Sequence, residues 1–155
     1  YAFLYGAGAK KIGSITGTNG TVIIDKFMKN VPALAKLKEK IAVNLRNKGS
    51  LPGLDGRRLF IRSEHAALNT LLQGAGAVVM KKALVIFDKY IKLHELDAHF
   101  VANVHDEWQL EVKEEEAELV GQLGVKAIVE AGKALRLNCP LDGEYKVGDN
   151  WKQTH

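Results

Sequence analysis

A single cysteine, Cys139, among 155 residues rules out an internal disulfide framework and fits a reducing compartment. No unbroken apolar run approaches the roughly 18 residues needed to span a bilayer, and no secretory leader pattern is visible. Internal repeats, low-complexity tracts and linkers are also missing. The Gly-rich stretch from Gly13 to Gly20 lacks the Gly-Lys-Ser/Thr ending of a phosphate-binding loop, so that chemistry is excluded there. Neither sign of charge dominates: 22 Lys and Arg stand against 18 Asp and Glu, a net +4. That mild excess is compatible with a polyanionic partner without requiring one. What the chain does have is 46% hydrophobic content, enough at this length for a globular domain with a real core. It begins on Tyr1-Ala2-Phe3-Leu4-Tyr5 rather than Met, which reads as a cut end inside an aromatic patch.

The stretch around which the rest is organised is Ala102-Asn103-Val104-His105-Asp106-Glu107-Trp108-Gln109-Leu110. Apolar runs from His99 to Val104 and from Trp108 to Val112 predict two strands joined by a tight turn. His105, Asp106 and Glu107 then sit at its tip. Adjacent carboxylates between apolar strands are costly unless a cation or hydrogen-bond donors compensate them. The alternative is a solvated turn in which Asp and Glu are turn residues only.

Along the chain, Tyr1 and Tyr5 share a face if helical, and Gly6 and Gly8 end or loosen that helix. The stretch Gly13 to Gly20 reads as a loop. A short helix over Val22 to Lys29 stops near Asn30 ahead of Pro32, which opens a second helix reaching about Asn47. Leu34, Leu37, Ile41 and Leu45 form its apolar side; Lys36, Lys38, Lys40 and Arg46 read as a solvated face. Pro52-Gly53 and Asp55-Gly56 mark a hairpin turn whose second arm begins Arg57-Arg58. Ser63 is placed to cap a long helix from Glu64 to about Leu96, apolar all round between Leu68 and Val79 and therefore expected to be buried. Its Gly74-Ala75-Gly76-Ala77 waist suggests close approach of another backbone. A further helix, Lys113 to Leu137, opens on Glu114-Glu115-Glu116, which suit a helix N-terminus. Residues Tyr145 to Trp151 read as a short strand or loop.

His65, Asn69 and Gln73 interrupt the long helix four residues apart, forming a polar stripe. Such side chains can read minor-groove acceptors that every base pair presents. Equally, each can satisfy a backbone group in the interior. Both readings stand at this level.

Tyr-x-Phe-Leu-Tyr-Gly at the start, His-x-x-x-Asn-x-x-x-Gln in the long helix and Val-His-Asp-Glu at the hairpin resemble a family A DNA polymerase. Gly53-Leu54-Asp55-Gly56-Arg57 and Ala66-Ala67-Leu68-Asn69-Thr70-Leu71-Leu72-Gln73 narrow the resemblance to the replicative polymerases of T-odd-type bacteriophages. Asn150-Trp151 and the terminal His155 fit the family's ending. The motifs occur in unbroken order along the whole chain.

The resemblance implies an α/β (α+β) fold: part of a right-hand polymerase, with an antiparallel palm sheet carrying the catalytic hairpin and packed by long helices. Residues 1–48 would belong to the fingers and 49–155 to the palm. Tyr1 and Tyr5 match fingers aromatics at the nucleotide and template positions, with Gly6 leaving room beside them. His65, Asn69 and Gln73 match the helix that checks the minor groove, although the family often has Arg at the position of His65. Asp106 matches the palm carboxylate that binds two Mg2+ ions together with a carboxylate absent from this chain. Glu107 matches its acidic neighbour near the primer end, and His105 supports the turn or primer backbone. Arg57 and Arg58 are assigned to DNA phosphates by charge.

The implied partners are primer-template DNA, dNTP and an N-terminal polymerase portion, with room for a processivity factor and no membrane. The implied location is bacterial or infected-host cytoplasm. The groups that grip the triphosphate, a second aspartate and the thumb are missing, so the chain alone is expected not to polymerise. Competing readings are a non-catalytic DNA-binding module and a metal-dependent nuclease at His105-Asp106-Glu107, with His94 and His99 as further ligands.

Overall fold

The computed structural model describes residue 2 and residues 7–154, His65 by its backbone alone. The chain divides into two compact units, Tyr1–Ala75 and Gly76–His155. The expected helix over Tyr1 to Tyr5, with Gly6, lies outside the described residues.

The first unit contains helices α1 (Ala9–Thr16), α2 (Gly20–Asn30) and α3 (Pro32–Lys48), strands β1 (Ser50–Pro52) and β2 (Arg58–Phe60), and the start of α4 (Ala67–Leu93). The loop expected over Gly13 to Gly20 is only three residues long. Gly13 belongs to α1 and Gly20 opens α2 because the two glycines are where these helices meet. A Cβ on Gly20 would come within 1.9 Å of the Ala9 carbonyl oxygen, and one on Gly13 within 2.9 Å of that of Thr18. Gly17, at φ 68°, ends α1 in the left-handed conformation, and the Asn19 side chain accepts from the Thr21 N–H at 3.0 Å to start α2.

Pro32 opens α3, and its apolar side packs as the spacing predicts. Ile41 is buried with Leu51, Ala67 and Leu68, and Leu34, Leu37 and Leu45 pack against them. Lys36, Lys38, Lys40 and Arg46 are exposed. The β1–β2 hairpin pairs Ser50 with Phe60 and Leu51 with Leu59. Its turn closes where the Gly56 N–H donates to the Gly53 carbonyl at 3.0 Å, with Gly56 at φ 82°. The Asp55 carboxylate accepts from the Arg57 backbone N–H at 3.2 Å and pairs with its guanidinium at 2.5 Å.

Ser63 precedes a 3-10 turn (Glu64–Ala66) but makes no capping hydrogen bond through its side chain. The long helix is therefore shorter than expected, Ala67 to Leu93. Nor is it buried all round: Leu72 is 43% exposed and Gln73, Gly76 and Ala77 face outward. Among the described residues, Gly74 meets only Leu59, at an ordinary 3.6 Å, and nothing lies within 4 Å of Gly76. Although Lys81 and Lys82 break its apolar run, α4 is long and apolar enough to cross a membrane by length and composition, with mean hydropathy 1.4.

The second unit joins the rest of α4 to β3 (Ala98–Val104), β4 (Glu107–Val112), a 3-10 turn (Glu114–Glu116), α5 (Ala117–Ala134) and α6 (Trp151–Thr154). Phe87, 2% exposed, lies at the centre of its core with Ile91, Ala98, Val120, Leu123 and Ala127. Its ring meets Phe100 edge-on at 5.5 Å and Trp108 at the same centroid distance. Burying one such ring contributes about 2–3 kcal/mol, and the aromatic geometry adds to that.

The glycines that weaken α5 on propensity are explained by contacts. A Cβ on Gly124 would sit 3.2 Å from the Phe87 ring, on Gly132 2.9 Å from Leu141, and on Gly121 2.2 Å from the Tyr145 ring. The Tyr145 hydroxyl donates to Glu118 at 2.7 Å, which raises its pKa. Glu130 beside the Tyr90 hydroxyl, aided by burial, pushes that phenol up to about 12. Of the acidic run, Glu114 and Glu115 are exposed, while Glu116 accepts from the Asp97 N–H at 2.8 Å. The segment from Tyr145 to Asn150 is loop, not strand, and Cys139 is exposed.

Replacing Gly121 by Ala should cost about 1–3 kcal/mol in denaturant unfolding, because ring displacement outweighs helix propensity. Gly76→Ala, in open space, should instead gain up to about 1 kcal/mol. The Asp55 pairing gives a pH signature. Arg57, first through its backbone N–H and then through its side chain, holds the Asp55 pKa below its ordinary 3.8. The stabilisation is thus present at neutral pH and is lost as pH falls through the lowered value. Unfolding midpoints of wild type and Asp55→Asn should differ at pH 7 and converge as pH falls below 3.8.

Candidate functional site

The β3–β4 hairpin leaves only His105 and Asp106 unpaired between Val104 and Glu107. His105 adopts φ 53°, the left-handed conformation that turns the chain, and His tolerates it better than a β-branched residue would. Asp106 is exposed, and no hydrogen bond or ion pair to a described residue occupies its carboxylate. Its setting is therefore that of a carboxylate free to bind a cation, not one neutralised by a lysine or arginine. Glu107, expected at the tip, is instead the first residue of β4, paired with Val104; it is half-buried and accepts a hydrogen bond from the Gln109 amide.

A feature the periodicity did not reveal lies in the facing strand. Phe100 pairs with Leu110, but Ala102 pairs with Gln109, so Val101 is an extra residue in β3. This bulge shifts the pairing by one position. Below it, Phe100 and Leu110 share the core side. Above it, Asn103 lies opposite Trp108, while Val104 and Ala102 lie opposite Glu107 and Gln109. Trp108 and Leu110 pack on the Phe87 cluster, so alternation along β4 directs Glu107 and Gln109 to the other side. The Trp108 indole N–H is buried without an acceptor among the described residues, a cost of about 1–3 kcal/mol set against its ring packing.

At the base of the hairpin, Asp97 accepts from His99 at 3.0 Å and from Lys113 at 3.3 Å. Lys113 first, then His99, holds its pKa below the usual carboxylate range. His99 is thus engaged at the hairpin base. Among the described residues, no three His, Cys, Asp or Glu groups gather closely enough to hold a metal ion. The nuclease reading therefore lacks a ligand set here, and Asp106 offers a single carboxylate to any metal.

In the first unit, Asn69 and Gln73 lie four apart on α4, half-buried and exposed respectively. Neither makes a side-chain hydrogen bond to a described residue. His65 falls in the 3-10 turn before α4. Arg57 is held by Asp55, whereas Arg58 on β2 is exposed and unpaired among the described residues. The residues sequence reasoning missed are Gln109 and Thr154. The Thr154 hydroxyl donates to the side-chain amide oxygen of Gln109 at 3.5 Å. Gln109 reads in sequence as an ordinary strand residue, and only the fold shows that its amide meets both Glu107 and Thr154.

A family model described as DNA polymerase family A matches residues 1–153. The DNA-directed DNA polymerase of Enterobacteria phage T3 is 38% identical over 180 residues, covering 100% of this chain and 25% of the phage protein. The DNA-directed DNA polymerase of Escherichia phage T7 matches with the same identity and coverage. A solved POL domain of Pol1 from M. smegmatis, in complex with DNA primer-template and dNTP, superposes with a TM-score of 0.76 at 25% identity. That match covers 84% of this chain and 26% of the solved one. The chain thus spans about a quarter of the length of these phage relatives. With the Val-His-Asp-Glu turn on a hairpin and the Asn-x-x-x-Gln stripe on a helix, both the motifs and their structural settings agree with the match: this chain belongs to DNA polymerase family A.

Proposed function

We propose that the chain is the C-terminal part of a DNA-directed DNA polymerase and adds nucleotides to a primer 3′-hydroxyl only when assembled with an N-terminal portion. In this reading residues 1–48 are part of the fingers and 49–155 part of the palm. The observation that carries it is Asp106, an exposed carboxylate without an ion pair among the described residues, at the tip of a hairpin in a chain of this family. Magnesium fits such a hard oxygen donor and keeps several waters, so few carboxylates suffice. Asp106 would supply one ligand and the rest of the polymerase another. When bound, two magnesium ions stabilise the attacking and leaving oxygens of an in-line displacement.

The chain's own residues do the remaining work. Asp106 holds its carboxylate outward at the turn formed by His105, and Glu107 faces the primer end beside it. Asn69 and Gln73, with His65 preceding them, offer neutral donors to the minor-groove edge of new pairs. Tyr1, Tyr5 and Gly6 frame the incoming nucleotide and template base. Arg58, whose guanidinium is free of ion pairs among the described residues, meets a phosphate more readily than Arg57, which would first have to leave Asp55. Exposed apolar side chains, among them Leu93 at 75%, Val101 at 67% and Val85 at 53%, support a chain whose surface is covered by the rest of a larger enzyme. Such a covering also accounts for the apolar helix α4 without a membrane, in a cytoplasmic enzyme that a processivity factor can join.

Primer extension by the chain alone and by the chain combined with its N-terminal portion tests this directly. Extension should require both. Asp106→Ala should lower it by about a thousandfold, equivalent to roughly 4 kcal/mol of lost transition-state stabilisation. Extension by the isolated chain would overturn the assembly, and an active Asp106→Ala assembly would point to a DNA-binding role without catalysis. In DNA-binding titrations, Arg58→Ala should weaken affinity uniformly across sequences and reduce the salt slope by about one, with Arg57→Ala smaller in effect.

A further inference from the structure

We infer that Gln109 is a positioning residue whose amide ties the Glu107 carboxylate to the C-terminal helix α6, so that the chain's last turn helps fix the acidic pair at the hairpin tip. The inference rests on the polymerase reading for its consequence in catalysis, though not for the contact itself. Glu107 and Gln109 are two apart on β4 and so share one side of the hairpin, away from Trp108 and Leu110. The Gln109 Nε2 donates to Glu107 Oε1, and the Gln109 Oε1 accepts from the Thr154 Oγ1 at 3.5 Å. The one Thr154 hydroxyl proton is shared with the Trp151 carbonyl at 3.1 Å, and the Gln153 side chain accepts from the Asp149 N–H at 2.7 Å. The short helix is thereby anchored to the segment that leads into it.

Both ends of the amide are used, and they are not interchangeable. An ionised carboxylate only accepts, so the amide must present its NH2 to Glu107. That orientation leaves its oxygen for a donor, which Thr154 supplies. Reversing the amide would set oxygen against oxygen at Glu107. A neutral amide also suits this position in a way that a lysine or arginine would not. It restrains the carboxylate without placing a positive charge beside Asp106, where it would oppose a cation.

The test compares Gln109→Leu, Thr154→Val and Thr154→Ser in the polymerase this chain completes, alongside NMR of the chain's side-chain amides. Gln109→Leu should lower kcat about tenfold, as loss of a supporting hydrogen bond behind a metal site does. KM for nucleotide should stay within about twofold, while the magnesium concentration for half-maximal extension rises. Thr154→Val should move both parameters the same way by about threefold, and Thr154→Ser should restore them. Independently of activity, the Gln109 amide resonances should shift in Thr154→Val and not in Thr154→Ser.

Wild-type kcat and magnesium dependence in Gln109→Leu, or Gln109 amide resonances indifferent to Thr154→Val, would overturn the inference. Should Gln109→Leu fail to fold, the two Thr154 variants decide it. A wild-type assembly that extends no primer would sink the polymerase reading, while the amide resonances would still decide the contact.

Discussion

The contact on which the second unit depends is the ring of Phe87 under the hairpin. Phe87 comes from α4, Phe100 and Trp108 from the two strands, and the gap at Gly124 from α5. Three elements thus converge on one side chain. Its fixed shape sets the height of the hairpin over the helices, and with it the position of the Asp106 turn. Any side chain at position 124 would push into that ring, which explains why a helix otherwise rich in apolar contacts accepts the cost of a glycine there. The same logic holds at Gly132 against Leu141. In α5, glycine is a device for packing rather than a sign of weakness.

The proposed reading accounts together for several features of the chain. The chain covers about a quarter of its phage relatives. Among the described residues there are two β-sheets of two strands each, and such small sheets gain independent stability only by packing on other elements. Exposed Leu72, Val85, Leu93 and Val101 leave apolar surface to spare. On the proposed reading these are internal surfaces of a larger enzyme, and the free Asp106 is half of an arrangement whose remainder lies elsewhere.

Much of this was legible in the sequence, and the exceptions share one cause. The hairpin, its turn residues, the Pro32 helix start and the apolar side of α3 followed from local pattern because each is decided by neighbours in the chain. Gly13 to Gly20 was misread as one loop because composition cannot distinguish glycines that bend the backbone from glycines that let two helices touch. Burial of α4 was overestimated because an apolar run records a demand for partners, and those partners need not lie in the same chain. Ser63 had the residue type of a cap without the geometry. At the site, residue identity marks Asp106 and Glu107 but is silent on Gln109, one of whose contacts, Thr154, lies far along the chain.

That register carries a constraint of its own. The extra residue at Val101 makes the two arms of the hairpin unequal by one, and it is accommodated between Phe100 and Ala102, which face the successive residues Leu110 and Gln109. Removing Val101, or adding one residue to β4 opposite it, would leave a regular ladder with the same two-residue tip, and Glu107 would keep its side because the alternation along β4 is untouched. One residue can therefore be lost at the bulge without disturbing the pairing on either side of it, whereas one inserted between Trp108 and Leu110 would turn one of those two side chains away from Phe87.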